Sequence, residues 1–336
     1  MRERRTHILS RTAVCVLCIS ALSSCIYEYE GDCSEEEGWQ KVRIDATYNT
    51  EWEIPVTPRA GWRDHWPDSL GISYNSLRPQ IPQGLRMLCY AADVAPYRFN
   101  LPPEGGDSDI PGGTTDIMFY NNDTEYIVFS NVADFTGITA STRRRLRSTF
   151  SSDEPTVSEP DMLFAASSPF ESSLKKIEVE LHPLVYTYLI RTTVSHGAEH
   201  ISLVRGTLSG MARSVNMYTR TTLPDKATIL YDCTPDDGGI NAVVKSFGVP
   251  DYRENGEHPP VTGRYIITLE LMLDNGNTVT RQIDVSAQIS VQPQGGVVMA
   301  GNIAITDEES RSPTSGGSFD VDVSDWGENE DIIIDF

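Results

Sequence analysis

Residues Tyr265–Val285 read YIITLELMLDNGNTVTRQIDV, two alternating runs joined by an Asn-Gly pair. Successive side chains of a strand point to opposite faces, so apolar residues at every second position predict a half-buried strand on each side of the pair. Asn275-Gly276 tolerates the positive φ values that a tight two-residue turn demands. This stretch therefore predicts an antiparallel β-hairpin.

The same alternation recurs along most of the chain, whereas no comparably clear helical period is present. Gly and Pro punctuate the intervals between the runs, as in LPPEGG and DIPGG. The sequence therefore predicts an all-β protein built from antiparallel β-sandwiches. The predicted strands are Lys41–Tyr48, Leu85–Ala91, Asp116–Tyr120, Tyr126–Ser130, Ile177–Leu181, Val185–Val194, Ile201–Leu208, Thr228–Asp232, Ala242–Phe247, Tyr265–Leu273, Thr278–Val285, Val297–Ile305, Phe319–Val323 and Ile332–Phe336.

One stretch between these runs has the composition of a domain boundary. Residues 141–160 read STRRRLRSTFSSDEPTVSEP, a mixture of charge, Ser and Pro without an apolar period. Such stretches separate domains that have their own cores. We predict an N-terminal β-sandwich domain at 39–145, a linker at 146–160 and a C-terminal β-sandwich domain at 161–336.

The N-terminus has the layout of a secretory signal. Four arginines precede residue 12, and a short apolar run follows at 12–22. The run ends at Leu22-Ser23-Ser24-Cys25, which resembles a bacterial lipobox. We predict a signal peptide at 1–24, a lipid on Cys25 that holds the chain in the outer membrane, and an acidic tether at 25–38. The alternative is cleavage by ordinary signal peptidase, with Cys25 left as a plain thiol.

The net charge argues against one class of function, and the cysteine content limits the possible disulfides. Without the predicted signal the chain keeps 23 basic and 47 acidic residues, a net charge of −24, which repels phosphate backbones and argues against nucleic-acid binding. Cys33, Cys89 and Cys233 remain besides Cys25, and three cysteines form at most one disulfide. Their pairing stays open, although Cys89 and Cys233 have the character of small buried apolar side chains.

Several local patterns occur in a characteristic order along the chain. They are Tyr120–Glu125 (YNNDTE), Pro160–Phe164 (PDMLF), Leu208–Ala212 (LSGMA), Ser246–Gly248 (SFG), and Gly316–Phe319 (GGSF) followed by Val321, Val323 and Trp326. In this order they resemble the fimbrillin-like lipoproteins of Bacteroidetes. That resemblance implies two transthyretin-like β-sandwich domains in tandem and a role in surface fimbriae or adhesion, and it supplies no catalytic residues or cofactor. It implies a fimbrial subunit, anchor or tip adhesin whose partners are other fimbrial subunits or surface ligands.

The segment after the first predicted strand carries the candidate site residues. In fimbrillins, trimming at an Arg after the first strand opens a groove that a neighbouring subunit's strand fills, and the resemblance assigns that role to Arg59. Trp62 and Trp66 are candidate ligand contacts, because exposed indoles stack on sugars or on a partner protein. The favoured interpretation is that Trp52 ends a strand in the core and the other two indoles cap its edge. Asp68-Ser69-Leu70 resembles an O-glycan acceptor, with Ser69 as the modified residue.

Two alternatives belong to other functional classes. If Trp62 and Trp66 form a sugar platform, the chain is a surface glycan-binding lipoprotein of a nutrient-uptake system. His196-Gly197-Ala198-Glu199-His200 has the H-x-x-E-H spacing of some zinc peptidases. Gly197 and the flanking β-runs disfavour the helix that this motif needs, so we predict a solvated loop, no metal and no enzyme activity.

Overall fold

A computed structural model describes residues 38–55, 61–144, 154–236, 238–252 and 263–311. This part of the chain is all-β, as the sequence predicts, with one four-residue helix, α1 (Ser286–Ile289), and four short 3-10 turns. The strands are β1 (Gln40–Tyr48), β2 (Leu85–Ala91), β3 (Tyr97–Leu101), β4 (Gly105–Ile110), β5 (Thr114–Asn121), β6 (Ile127–Ser130), β7 (Thr139–Thr142), β8 (Thr156–Ser158), β9 (Phe164–Pro169), β10 (Lys176–Pro183), β11 (Tyr186–His196), β12 (Ile201–Ala212), β13 (Ser214–Asn216), β14 (Lys226–Asp232), β15 (Thr234–Asp236), β16 (Gly239–Ser246), β17 (Ile266–Leu273), β18 (Thr278–Asp284) and β19 (Gly296–Ala304). The 3-10 turns are Arg63–His65, Asp68–Leu70, Tyr74–Leu77 and Ala198–His200.

The N-terminal sandwich is one sheet that folds over on itself. Its strand order is β3-β2-β5-β9-β10-β1-β4. The turn of the sheet lies at β9 and β10, which pair only at His182 with Ala165 and at Pro183 with Phe164. Beyond that corner the two halves face each other across a buried cluster, the first core. The first core contains Val42, Ile44, Leu85, Met87, Cys89, Ile110, Ile117, Phe119, Phe164, Phe170, Ile177, Val179 and Leu181.

Strands β2 and β5 form the middle layer of this half of the protein. In β5, Ile117 and Phe119 point into the first core, whereas Met118 and Tyr120 point into a second cluster on the opposite face. The three-stranded sheet β13-β7-β6 covers that second face. Because both faces are buried, these strands have nearly continuous apolar runs rather than clean alternation.

The C-terminal sandwich is formed by two separate sheets with strand orders β15-β16-β11-β19 and β18-β17-β12-β14-β8. Their inner faces share the largest apolar cluster, which includes Tyr188 and Val298 from one sheet and Leu208 and Leu269 from the other. The opposite face of the four-stranded sheet carries Leu189 and is covered by residues that follow β1.

The predicted hairpin is present as β17 and β18, but its turn is longer than expected. The Leu273 amide donates to the Asn277 carbonyl at 2.8 Å, so three residues, rather than two, lie between the paired positions. Among them only Gly276 has a positive φ, of 83°. A three-residue loop of this kind needs one left-handed residue at its end, and Gly supplies it.

The predicted strand pairing was only partly right. Every predicted strand that falls in the described residues is a strand, and the pairing is mostly antiparallel. Within the described residues, however, β1 with β10, β8 with β14 and β11 with β19 pair in parallel. Alternation predicts which face of a strand is buried, and it carries no information on the direction of a distant partner.

The first sheet contains strands from both sides of the boundary predicted at 146–160. Strands β9 and β10 come after that boundary, yet they belong to the sheet that contains β1. The two-domain division at 39–145 and 161–336 stays a prediction, and the strand pairing favours a boundary after Pro183. The transthyretin-like strand order also stays a prediction.

The chain ends lie outside the described residues, and so do the predicted signal, the tether up to residue 37, Phe319–Val323 and Ile332–Phe336. In the part of the chain that the structure describes, none of the helices has the length and apolarity needed to span a bilayer.

Candidate functional site

The segment Gln40–Ile54, which we name the strap, connects the two sandwiches. Its first part is β1, which lies between β4 and β10 in the folded sheet. Val42 and Ile44 point inward and are fully buried in the first core. The outward side chains form ion pairs with the neighbouring strands, as in Lys176 Nζ to Asp45 Oδ2 at 2.8 Å. The apolar and polar positions that alternate in the sequence therefore lie in two different environments, the first core and the outer face of the sheet.

The second part of the strap hydrogen-bonds to the C-terminal sandwich. The Trp52 carbonyl accepts from the Thr187 amide of β11 at 2.9 Å, and the Ile54 amide donates to the Gln294 carbonyl at 2.8 Å. Gly295 lies against this contact with a φ of 86°, and a Cβ there would lie 2.6 Å from the Trp52 oxygen. The close approach of the strap therefore depends on Gly at 295.

Trp52 anchors the strap on the outer face of the four-stranded sheet. Its side chain is fully buried, and its ring centroid lies 5.0 Å from that of Tyr74 and 5.9 Å from that of Trp66. We name the residues around it the Trp52 pocket. Its buried members are Leu70, Tyr74, Leu77, Leu189 and Val297, and Trp62, Trp66 and Ile72 pack against them at the edge.

Charged groups hold the strap beside this pocket. Glu51 forms ion pairs with Arg63 and with Arg78, the latter at 3.0 Å between Nη2 and Oε1. Both guanidinium groups lie 5.9 Å from the centroid of the Tyr74 ring, within the range of a cation–π contact. The two arginines and Tyr74 thus form a cradle for one carboxylate.

Glu53 is the buried acid of the site. Its side chain accepts from the Trp62 amide at 2.7 Å, and the Tyr74 hydroxyl lies 3.2 Å from the same oxygen, Oε1. Burial raises the pKa of Glu53 above its usual value of 4.5, and the hydrogen bonds only partly offset this effect. Burial also raises the pKa of Tyr74 to about 12, so its hydroxyl remains a donor at neutral pH.

We expect Glu53 to make the strap less stable as the pH rises. The folded-state pKa lies above the unfolded value, so the folded protein binds the proton more tightly, and its contribution is fully present below the usual pKa of 4.5. That contribution is lost as the pH rises through the raised pKa. Urea unfolding of wild type and Glu53→Gln, measured at several pH values from 4 upward on the order of one pH unit apart, checks this expectation. A free-energy difference between them that does not change with pH would contradict it.

The structure gives each predicted site residue of the segment a specific environment. Trp62 and Trp66 are half-buried, and their indole nitrogens donate to Gln292 Oε1 at 2.5 Å and to the Ile72 carbonyl at 2.8 Å. Their ring planes are nearly perpendicular, at 83°, so the two rings do not form one flat platform. Ser69 is exposed in a 3-10 turn. Ligand binding by the two indoles and glycosylation of Ser69 stay predictions.

Two predicted residues lie outside the described residues. Cys25 belongs to the N-terminal region, and Arg59 lies at 56–60, directly after the strap. Lipidation of the one and processing at the other stay predictions, and the strap is the part of the chain that connects these two positions.

The H-x-x-E-H residues do not form a helix. His196 ends β11, and His200 lies in the 3-10 turn that follows. Each imidazole contacts an aspartate, with His196 Nε2 3.2 Å from Asp307 and His200 Nδ1 3.0 Å from Asp274. Within the described residues there is no group of three or more His, Cys, Asp or Glu side chains arranged to hold a metal ion.

The described cysteines are free thiols. Cys89 is fully buried in the first core, and Cys233 is half-buried beside the C-terminal core. Burial raises the pKa of each thiol to about 12. Both therefore pack as small apolar side chains, as the sequence indicated, and Cys33 lies outside the described residues.

Sequence reasoning did not find the bridging role of the strap. It found the strand and the tryptophans separately, because alternation identifies β1 and aromatic content identifies the loop. The hydrogen bonds of Trp52 and Ile54 to Thr187 and Gln294 join positions far apart in sequence. The Gly295-Gly296 pair was the one local signal, since a backbone that approaches closely often needs Gly.

Comparison with known families gives one match. A model described as a domain of unknown function, DUF5119, matches residues 70–232. That range includes Tyr74 and Leu189 of the Trp52 pocket and begins after the strap. No curated protein matches this sequence.

Comparison with solved structures gives a shared fold. A candidate adhesin from Bacteroides ovatus aligns with a TM-score of 0.58 and 16% identity, over 85% of this chain and 97% of that one. A second candidate adhesin from Bacteroides ovatus aligns with a TM-score of 0.45 and 8% identity, over 79% of this chain and 87% of that one. The fimbrial anchor protein Mfa2 from Porphyromonas gingivalis aligns with a TM-score of 0.40 and 9% identity, over 79% and 90%. The first of these shows that the chain has the fold of that candidate adhesin.

Proposed function

We propose that this chain is a lipid-anchored surface protein of the fimbrial or adhesin class, and that its first strand is exchangeable. In this proposal Cys25 carries the lipid, the protein is displayed on the outer membrane, and cutting at Arg59 removes the covalent link between the strap and the rest of the chain, so that the strap can be displaced. A strand from another subunit then takes the place of β1. The protein functions by binding other fimbrial subunits or surface ligands and by assembling with them.

The position of β1 is the observation that carries this proposal. The strand lies between two others, pairing in parallel with β10 and antiparallel with β4. Its removal leaves a groove with unpaired backbone groups on both sides and with the first core as its floor. An extended segment supplies the missing hydrogen bonds, while its alternate side chains fill the floor.

The order of features along the chain also supports this proposal. The predicted lipid site precedes β1, and Arg59 follows it, so a cut at Arg59 separates the membrane anchor from the body together with the strand. The fold shared with a candidate adhesin is consistent with a binding role. The resemblance of the sequence to fimbrillin-like lipoproteins points to the same class.

N-terminal sequencing and intact mass of the protein from surface material of its native host test the proposal. We expect a species that begins at Ala60 in high-mass assemblies, and we expect Arg59→Ala to abolish that species. Cys25→Ala is the matched control for anchoring, because it removes the lipid and leaves Arg59 intact. Assemblies that contain only the full-length lipidated chain would rule out strand exchange.

A further inference from the structure

The strap contacts the rest of the chain, which we call the body, at two places. The first place is the groove between β4 and β10 that β1 fills, and the second place is the Trp52 pocket. Between Ile44, the last fully buried residue of β1, and Trp52 lie at most about 29 Å of extended chain. At Trp52 the strap again makes backbone hydrogen bonds to the body, and the Trp52 side chain is buried. Any segment that replaced β1 alone would leave the second place empty.

An empty Trp52 pocket would expose apolar surface and unpaired charge together. The pocket is lined by buried Leu70, Leu77, Leu189 and Val297. Next to it Arg63 and Arg78 share the carboxylate of Glu51, which belongs to the strap. Both the apolar lining and the two guanidinium groups remain on the body of the protein when the strap is removed.

We infer that the acceptor site for a partner strand extends to the Trp52 pocket and that its occupant is an extended segment of another polypeptide with a defined pattern. This inference rests on the proposed strand exchange. The native occupant defines the pattern: two alternating aliphatic side chains, as at Val42 and Ile44, and an aromatic side chain eight residues after the second. An acidic residue directly before the aromatic one takes the place of Glu51.

Backbone geometry restricts the second half of the site as well. The Thr187 amide and the Gln294 carbonyl present one donor and one acceptor to the strap. A Cβ on Gly295 would lie 2.6 Å from the Trp52 oxygen and 2.9 Å from the Thr187 oxygen. A Cβ at Gly295 therefore acts on the second place and on β11 beside it, and none of the nearest atoms that it meets belongs to β1.

The test uses the mature chain with a site-specific protease sequence in place of residues 56–60. After cutting, the strap stays bound without a covalent link, and its release is followed in the presence of excess unlabelled strap peptide. We expect Trp52→Ala to speed release by about 100-fold or more, from the loss of a fully buried indole. Ile44→Ala is also expected to speed release, and Lys41→Ala, at an exposed position, is the matched control.

Gly295→Ala on the body separates the two halves of the site. We expect it to speed release of the wild-type strap and to reduce the further effect of Trp52→Ala, because the two changes act on one contact. Release of the Trp52→Ala strap at the wild-type rate, with faster release of the Ile44→Ala strap, would overturn the two-part site and leave strand exchange standing. Immediate release of the wild-type strap would also contradict the two-part site, because contacts at two places should hold a cut strap.

Discussion

Trp52→Ala is expected to lower the free energy of unfolding by about 3–5 kcal/mol, the loss typical of a fully buried aromatic side chain. The indole is fully buried among apolar side chains and contacts two further aromatic rings. Its removal leaves a cavity that Leu189 and Val297 cannot close, because both belong to paired strands of the four-stranded sheet. Thermal and denaturant unfolding of the purified mature chain measures the effect.

Two further variants make this result specific. Trp52→Phe keeps most of the volume and removes an indole N–H that has no hydrogen-bond partner among the described residues, so its loss should be below about 1.5 kcal/mol. Trp62→Ala removes a half-buried ring at the pocket edge and should also cost less than Trp52→Ala. Equal losses for Trp52→Ala and Trp62→Ala would contradict the assignment of Trp52 as the anchor of the strap.

The attachment of the strap at Trp52 affects how the protein would resist a pulling force on its membrane tether. If Cys25 holds the lipid, force on the membrane tether first reaches β1, which is held by two neighbouring strands. Trp52 and the ion pairs of Glu51 hold the chain a second time before it reaches Arg59. The two sandwiches thus share the attachment, and after a cut at Arg59 only these non-covalent contacts would hold the strap.

The sequence predicted strands that alternate in polarity and strands with nearly continuous apolar runs, such as β2 and β5. In β1 and β17 apolar and polar side chains alternate, and burial follows the same period. The sequence missed seven strands of the described residues, which are β3, β4, β7, β8, β9, β13 and β15. Six of them lack a run of five residues that alternates in polarity, whereas β3 (YRFNL) alternates over its whole length.

Two of the missed strands show why neighbours decide their conformation. Strand β9 reads FAASSP, and its small side chains form a strand because β5 supplies the hydrogen-bonding partners. Strand β4 reads GGDSDI, and two glycines give no local preference for a strand. Both lie beside strands that the sequence does predict, so their conformation is set by tertiary context.

The candidate site, too, could be predicted only in part from the sequence, because tertiary contacts form it. The sequence indicated that Trp52 ends a strand in the core; the indole is buried, but β1 ends four residues earlier, at Tyr48. The sequence could not indicate that the pocket lies on the outer face of a sheet formed by β11 and β19, since the residues that meet there are distant along the chain. Tyr188 and Leu189 of β11 point to opposite faces of the sheet, and both are buried. Tyr188 faces the inner core, and Leu189 is covered by the strap.

Gly105→Ala is expected to lower the free energy of unfolding by about 2–5 kcal/mol, from the combined cost of a left-handed conformation and of overpacking. Gly105 begins β4 with a φ of 96°, and a Cβ there would lie 2.2 Å from the carbonyl oxygen of Ile44 in β1. Because that oxygen belongs to the backbone of a fully buried position, β4 must move away from β1. Denaturant unfolding of the mature chain measures the change.

Gly276→Ala is the control that separates the two causes. Gly276 has a similar φ of 83°, but a Cβ added there meets no atom within 4 Å. Its loss should therefore be only the backbone part, about 1–2 kcal/mol. The excess for Gly105→Ala reports how tightly β4 closes over β1, so this variant should also speed release of a cut strap. Equal losses at the two glycines would mean that β4 gives way easily and that the groove opens on that side.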